Sequence, residues 1–264
     1  MTIACFGFGA SPKGDQTIDV PKDTSRVHFI GWTSIVVENS LGELDICGEY
    51  SPDEANLVRS LDPKYVESYG LILPQSDTKA KGVKPLRFYG LESLQGYLMP
   101  EGNIIGLCRN SSLATFQDEV LRTLHLYYRN AKDVAACGSS TDHLTVVIDR
   151  STLDLHQWTA SDPTPRSILQ TATQDQAALL KDVAFERIWA GEAHMLALAT
   201  DGTLYSWGSG RHGQLGHGDL MSLSIPKPIE SLQGIRIVEA ACGASFSVAL
   251  SGTEIIILLR YAVF

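Results

Sequence analysis

The stretch Ile188-Trp-Ala-Gly-Glu-Ala-His-Met-Leu-Ala-Leu-Ala-Thr-Asp-Gly-Thr-Leu-Tyr-Ser-Trp-Gly208 decides the architecture, because the chain repeats it. A second copy begins at Ile235-Arg-Ile-Val-Glu-Ala-Ala-Cys-Gly-Ala-Ser-Phe-Ser-Val-Ala-Leu250, with Gly191, Ala197 and Leu198 falling on Gly243, Ala249 and Leu250 at an offset of 52. Upstream, Ala135-Ala-Cys-Gly138 repeats Ala240-Ala-Cys-Gly243 letter for letter. Val27-His-Phe-Ile-Gly31 through Gly42-Glu-Leu-Asp-Ile-Cys-Gly48 matches the first unit at an offset of 160, and Phe88-Tyr-Gly90 through Cys108 matches it with one slipped residue. The anchor glycines are therefore Gly31, Gly90, Gly138, Gly191 and Gly243, at intervals of 59, 48, 53 and 52. A fixed period of this length means stacked supersecondary units.

Each unit reads as short strands joined by tight turns. Met195–Ala199 and Thr203–Trp207 flank Asp201-Gly202, a dipeptide that accepts positive φ and so suits a two-residue hairpin. Gly191 and Gly208 mark close backbone approach or a bend. Strands repeated radially in this way predict an all-β fold, a β-propeller of about five blades. The expected units are 26–49, 86–109, 133–159, 186–216 and 235–264, within a single domain spanning 1–264. Residues 50–85 and 160–184 interrupt the period as insertions. The first has a short helix expected from Pro52 to Leu61; the second contains Gln174–Lys181, of helical composition or a polar edge strand. Residues 113–130 fit periods of 3.6 and 2 equally well.

The run Ala190-Gly-Glu-Ala-His194, Asp201-Gly202, Trp207-Gly208, Gly213-Gln-Leu-Gly216 and Pro226 resembles one full repeat of the regulator-of-chromosome-condensation family. The resemblance is closest over 186–252 and thinner over 26–48 and 86–108, where Cys47 and Leu107 stand at positions the family gives to Trp. It implies a seven-bladed propeller in which the two ends of the chain share a blade. It also implies that His194 hydrogen-bonds within its blade and that Asp201 is a turn residue. Seven such repeats need some 360 residues against the 264 here, so the expectation is an incomplete propeller, with a true five-bladed ring as the alternative. The segment 1–9 parallels Thr203–Gly210 and reads as a lone closing strand without its partners, while Ile255–Phe264 departs from the repeat and reads as a strand or a foreign tail.

Composition narrows the function. The chain carries 21 basic and 30 acidic residues, a net charge of −9, with no run of basic residues to grip phosphates. Direct DNA binding is not expected; a protein partner is. Cys5, Cys47, Cys108, Cys137 and Cys242 are odd in number and lie far apart, and the start Met-Thr-Ile-Ala-Cys-Phe lacks signal-peptide character, so an intracellular protein of nucleus or cytoplasm, not secreted, is expected. No apolar run reaches the length of a membrane span.

No catalytic constellation emerges, and neither enzyme activity nor a cofactor is expected. His212, His217 and Asp219 meet a minimal metal-ligand count, but the glycine-rich loop that carries them fixes no spacing. Gly7-Phe-Gly-Ala-Ser-Pro-Lys-Gly14 lacks the Gly-Lys-Ser/Thr ending of a phosphate loop, and the following Asp15-Gln-Thr-Ile-Asp-Val-Pro reads as turn-rich. Two functions stay open: a non-catalytic scaffold that binds a partner through its rim loops, such as an adaptor for a chromatin-modifying enzyme, or guanine-nucleotide exchange on a small GTPase. In either case the candidate contacts are Arg211, His212, His217 and Asp219, in a solvent-exposed loop from Gly210 to Leu220. Gly31, Gly90, Gly138, Gly191, His194, Asp201, Gly202, Trp207, Gly208 and Gly243 are structural. Leu196, Leu198, Leu204, Trp207, Val248 and Leu250 are expected in the core.

Overall fold

The computed structural model describes residues 2–5, 16–30, 34–59, 61, 85–90, 94–107, 124–138, 143–253 and 255–259. Nearly all regular structure there is antiparallel β, and the chain divides into two compact units, Met1–Arg129 and Asn130–Phe264.

In the first unit, β1 (Thr2–Cys5) pairs with β2 (Gln16–Asp19), β3 (Thr24–Ile30), β4 (Ser34–Asn39) and β5 (Leu44–Gly48) form a three-stranded sheet, and β6 (Arg87–Gly90), β7 (Leu94–Leu98), β8 (Ile104–Leu107) and β9 (Leu124–Tyr128) form a four-stranded one. Helix α1 (Pro52–Arg59) closes the core between those sheets, where Leu57 and Val58 meet Val36, Ile46, Phe88, Tyr97 and Ile105. Its first turn is a capping box: Ser51 Oγ accepts the Glu54 N–H, the Glu54 carboxylate accepts the Ser51 N–H and hydroxyl, and this buried carboxylate also accepts from Ser34.

The pairing of β1 with β2 corrects the reading of a lone strand, and the Gln16–Asp19 segment is strand rather than turn. Its Ile18 and Val20 enter a core with Ile35 and Val37, a period of two that the flanking Asp and Pro obscure. Residues 6–15, with the Gly7–Gly14 run, lie outside the described residues, as do Cys108 and most of 50–85.

The second unit holds three meanders. They are β10 (Ala131–Gly138), β11 (His143–Asp149), β12 (Leu155–Thr159) and β13 (Arg166–Ser167); β14 (Phe185–Ala190), β15 (His194–Ala199), β16 (Leu204–Gly208) and β17 (Leu223–Pro228); and β18 (Ile237–Cys242), β19 (Ser247–Ser251) and β20 (Ile256–Leu259). Residues 174–180 are helical, as α2 (Gln174–Leu180), started by a capping box between Thr173 and Gln176. The tail residues Ile256–Leu259 take the third-strand position against β19.

The period appears in hydrogen bonds as well as letters. The described first strands β6, β10, β14 and β18 end at or just before the anchor glycines, and β3 ends at Ile30, beside Gly31. A register slip falls near the start of β3, β10, β14 and β18, between Thr24/Arg26, Ala131/Asp133, Phe185/Arg187 and Ile237/Glu239, and β3 slips again between Val27 and Phe29. Thr200 N–H donates to Ala184 and, 52 residues on, Gly252 N–H donates to Arg236. Arg187 forms an ion pair with Glu239, its own counterpart in the next repeat, and stacks over Trp189 at 5.1 Å.

Within the second unit, successive sheets pack face to face. Met195, Ala197 and Ala199 of β15 point into a core shared with Cys137, Val146 and Ile148, while Leu196 and Leu198 point the other way, toward Ile237, Ala240, Ala249 and Leu259. The β14–β17 sheet is thus covered on both faces, and every residue of β15 is buried. In β19 burial alternates: Ser247, Ala249 and Ser251 face the preceding sheet, and Val248 and Leu250 are only half-buried. The expectation for those two residues fails because the small side chains of β19, not the large ones, supply its contact face.

Candidate functional site

The loop between β16 and β17 gathers the candidate contact residues. Gly213 N–H donates to Gly210 and Gly216 N–H to Gly213, so the chain coils through two successive turns. Arg211, His212, Asp219, Leu220 and Met221 are exposed, whereas Gly210, Gly213, Gln214 and Leu215 are buried. The loop is therefore not exposed throughout: its middle is an anchor and its flanks face solvent.

Two histidine–serine relays hold that anchor. Ser247 Oγ, from β19, donates to the Gln214 carbonyl at 2.8 Å, and His194 Nε2 lies 2.9 Å from the same Oγ. Because the Ser247 proton is committed to the carbonyl, the imidazole must donate, which fixes His194 as the Nε2–H tautomer. Ser206 Oγ, from β16, donates to the next carbonyl, Leu215, at 2.7 Å, with His217 Nε2 at 3.0 Å in the same role. Two adjacent carbonyls are thus pinned by hydroxyls from two neighbouring sheets. The hydrogen bond of His194 crosses to the next blade, correcting the expectation of a bond within its own.

These pairs hold structure and do not react. Ser206 and Ser247 have no exposed surface, and each hydroxyl proton points at a main-chain carbonyl, so neither can attack a substrate. Burial holds His194 down to about 4, so it stays neutral near pH 7. His217 is lowered from its ordinary value first by burial and then by Lys227, with Asp219 and Glu230 opposing. It is half-buried and bonded to Ser206, which places it with the anchor, apart from the exposed Arg211, His212 and Asp219. Among the described residues no three His, Cys, Asp or Glu side chains gather as a metal site, and no helix is long and apolar enough to cross a membrane.

The structural glycines have visible reasons. A Cβ on Gly191 would strike the His194 ring and the Gly243 carbonyl, and one on Gly243 would strike Phe246, which occupies the His194 position of its repeat. Gly210 closes the loop: a Cβ there would run into the Met221 carbonyl, and its N–H donates to Ser222 Oγ. Gly210→Ala should therefore displace the loop while leaving the sheets intact. The expected result is a loss of about 1–3 kcal/mol in unfolding free energy with an unchanged β spectrum, measured by denaturant titration and circular dichroism; an unaltered midpoint contradicts it.

Sequence reading overlooked Leu220 and Met221, which are 45% and 67% exposed at the loop's far end. The available signal was two consecutive large apolar residues in a segment otherwise of glycine and polar residues. Asp201 N-terminally caps its turn by accepting the Thr203 N–H, as a turn residue does.

The family model for the regulator of chromosome condensation (RCC1) repeat matches residues 201–250, which span β16, the loop and β18–β19. Residues 201–250 are thus similar to one RCC1 repeat. Relatives include RCC1 domain-containing protein 1 of Mus musculus, 43% identical over 75 residues (28% of this chain, 20% of that protein), and the Protein RCC2 homolog of Xenopus laevis, 49% identical over 59 residues (22% and 12%). The E3 ubiquitin-protein ligase HERC2 of Homo sapiens is 40% identical over 75 residues, 28% of this chain and 2% of that protein. The chain thus matches a fifth or less of the length of these relatives. Among solved structures, human WBSCR16 is similar with a TM-score of 0.58 at 16% identity, over 89% of this chain and 60% of that one. Yeast RCC1 (Prp20), solved bound to Kap60, gives 0.51 at 15% identity over 90% and 70%. A second Prp20p structure from Saccharomyces cerevisiae, described with its binding to Gsp1p and histones, gives 0.53 at 14% identity over 95% and 59%. At these identities the likeness concerns the fold, which is of the RCC1 β-propeller type.

Proposed function

We propose that this chain is a non-catalytic scaffold of the nucleus or cytoplasm whose β16–β17 loop docks a protein partner. The observation that carries this reading is the contrast within the loop. Gln214 and Leu215 are fixed from two sheets by the Ser247 and Ser206 hydroxyls, while Leu220 and Met221 stand in solvent beside Arg211, His212 and Asp219. A rigid base loses little conformational entropy on binding, and exposed apolar side chains rimmed by charge are the composition of an interface centre. A chromatin-modifying enzyme is a partner of the expected class.

The experiment compares proteins retained by the wild-type chain with those retained by Leu220→Asp/Met221→Asp. At least a tenfold loss of one specific partner at unchanged thermal midpoint is expected; equal retention of every partner refutes the loop as the docking element. A second reading, nucleotide exchange on a small GTPase, is favoured by the likeness to Prp20p, whose structure is described together with Gsp1p binding. Accelerated release of a fluorescent guanine nucleotide from any member of a GTPase panel would move the assignment to exchange.

A further inference from the structure

Three Ser/Thr-Pro dipeptides occur in the chain: Ser11-Pro12, Ser51-Pro52 and Thr164-Pro165. The first lies outside the described residues, and the other two contrast sharply. Ser51 caps α1: its hydroxyl is committed to Glu54, a carboxylate that is itself buried and held by Ser34. A phosphate on Ser51 would lie against a buried negative charge and would remove the cap.

Thr164 sits in an exposed connection, 160–165, between β12 and the two-residue edge strand β13. The connection is pinned at its start, where Thr159 N–H donates to the Asp162 carbonyl and Asp162 N–H donates back to Thr159 Oγ1. Its outer half is polar and solvated. Asp162 accepts from Thr164 N–H at 3.2 Å and from Arg166 Nη2 at 2.7 Å, and the Arg166 and Asp162 side chains are 58% and 50% exposed. Hydrogen bonding from Thr164 is also the first cause holding the Asp162 carboxyl below its usual range. A residue before proline is held out of the helical region and toward extended backbone, the form in which a substrate segment lies along a kinase cleft.

We propose that Thr164 is a phosphorylation site for a proline-directed serine/threonine kinase, with Arg166 positioned to receive the phosphate. In that reaction the Thr164 hydroxyl oxygen attacks the γ-phosphorus of Mg-ATP. The new O–P bond forms as the bond to ADP breaks, and the hydroxyl proton passes to the kinase base. The product carries close to two negative charges and three acceptor oxygens at neutral pH. The phosphate repels the Asp162 carboxylate two residues before it and offers Arg166, two residues after it, a stronger bidentate partner. Arg166 thus exchanges one anion for the other, at the edge of the β10–β13 sheet.

The test treats the folded full chain with a mitogen-activated proline-directed kinase and Mg-ATP, and maps phosphate by mass spectrometry. Phosphate at Thr164, none at Ser51, and loss of that phosphopeptide in Thr164→Ala are expected. Absence of phosphate from Thr164, or equal occupancy of Ser51, overturns the site. The arginine's role is read separately, from the phosphorus NMR titration of the modified chain. The second phosphate pKa should lie below the ordinary value of about 6 and rise toward it in Arg166→Gln. An identical titration in the two proteins removes Arg166 from the proposal.

Discussion

Trp207→Ala will cost about 3–5 kcal/mol of unfolding free energy, the range for deleting a large buried aromatic side chain. Trp207 is 1% exposed and stands on β16 opposite Met195, in the core shared with Val146, Ile148, Tyr205 and Ile225. The cavity has little freedom to collapse, because its walls are strands bonded in register to neighbours on both sides. The indole N–H has no hydrogen-bond partner, so the loss comes from packing alone. Denaturant titration of the alanine variant against Trp207→Phe separates the two contributions. The phenylalanine variant should recover more than half of the loss, and an alanine cost below about 1 kcal/mol would mean the sheets are not packed as described.

Acidification is the second large effect. The folded chain holds His194 down to about 4 against an ordinary 6.5, so between those values the unfolded chain binds more protons. Stability therefore rises with pH across that window, is flat above it, and falls by up to about 3 kcal/mol on descending to pH 4, at 1.36 kcal/mol per pKa unit. His194→Phe tests the source. Phe246 already covers Gly243 at the matching place in the next repeat, so a phenyl ring suits the site. That variant loses one hydrogen bond to Ser247 and should lose most of the pH slope. A slope identical to wild type would place the titrating groups elsewhere, with half-buried His217, shifted in the same direction, the next to test.

What the sequence displayed and what it hid have different physical origins. The anchor glycines were legible because their requirement is local: a ring three residues on lies over Gly191 and over Gly243, and no side chain fits beneath it. The Asp201-Gly202 turn was legible for the same reason. Which face of a strand meets its neighbour is not local. In β19 both alternating sets look suitable for a core, and only the opposing sheet selects Ser247, Ala249 and Ser251 over Val248 and Leu250. The partner of His194 was equally hidden, since it lies 53 residues away in another sheet. Glycine content correctly placed the candidate loop at a surface. It could not show that Gln214 and Leu215 turn inward, because that depends on two serine hydroxyls brought there by tertiary structure.

The two pinned carbonyls carry a consequence for how this region comes apart. Gln214 and Leu215 are adjacent in the chain, yet one is claimed by the β18–β20 sheet and the other by the β14–β17 sheet. A fluctuation that frees either sheet edge must break a relay and leave a buried hydroxyl and imidazole unsatisfied, a penalty of about 1–3 kcal/mol per group. Partial opening is thereby disfavoured relative to joint opening. The turn behaves as a rivet through two plates, and the pair of sheets forms one cooperative unit with a shared opening free energy.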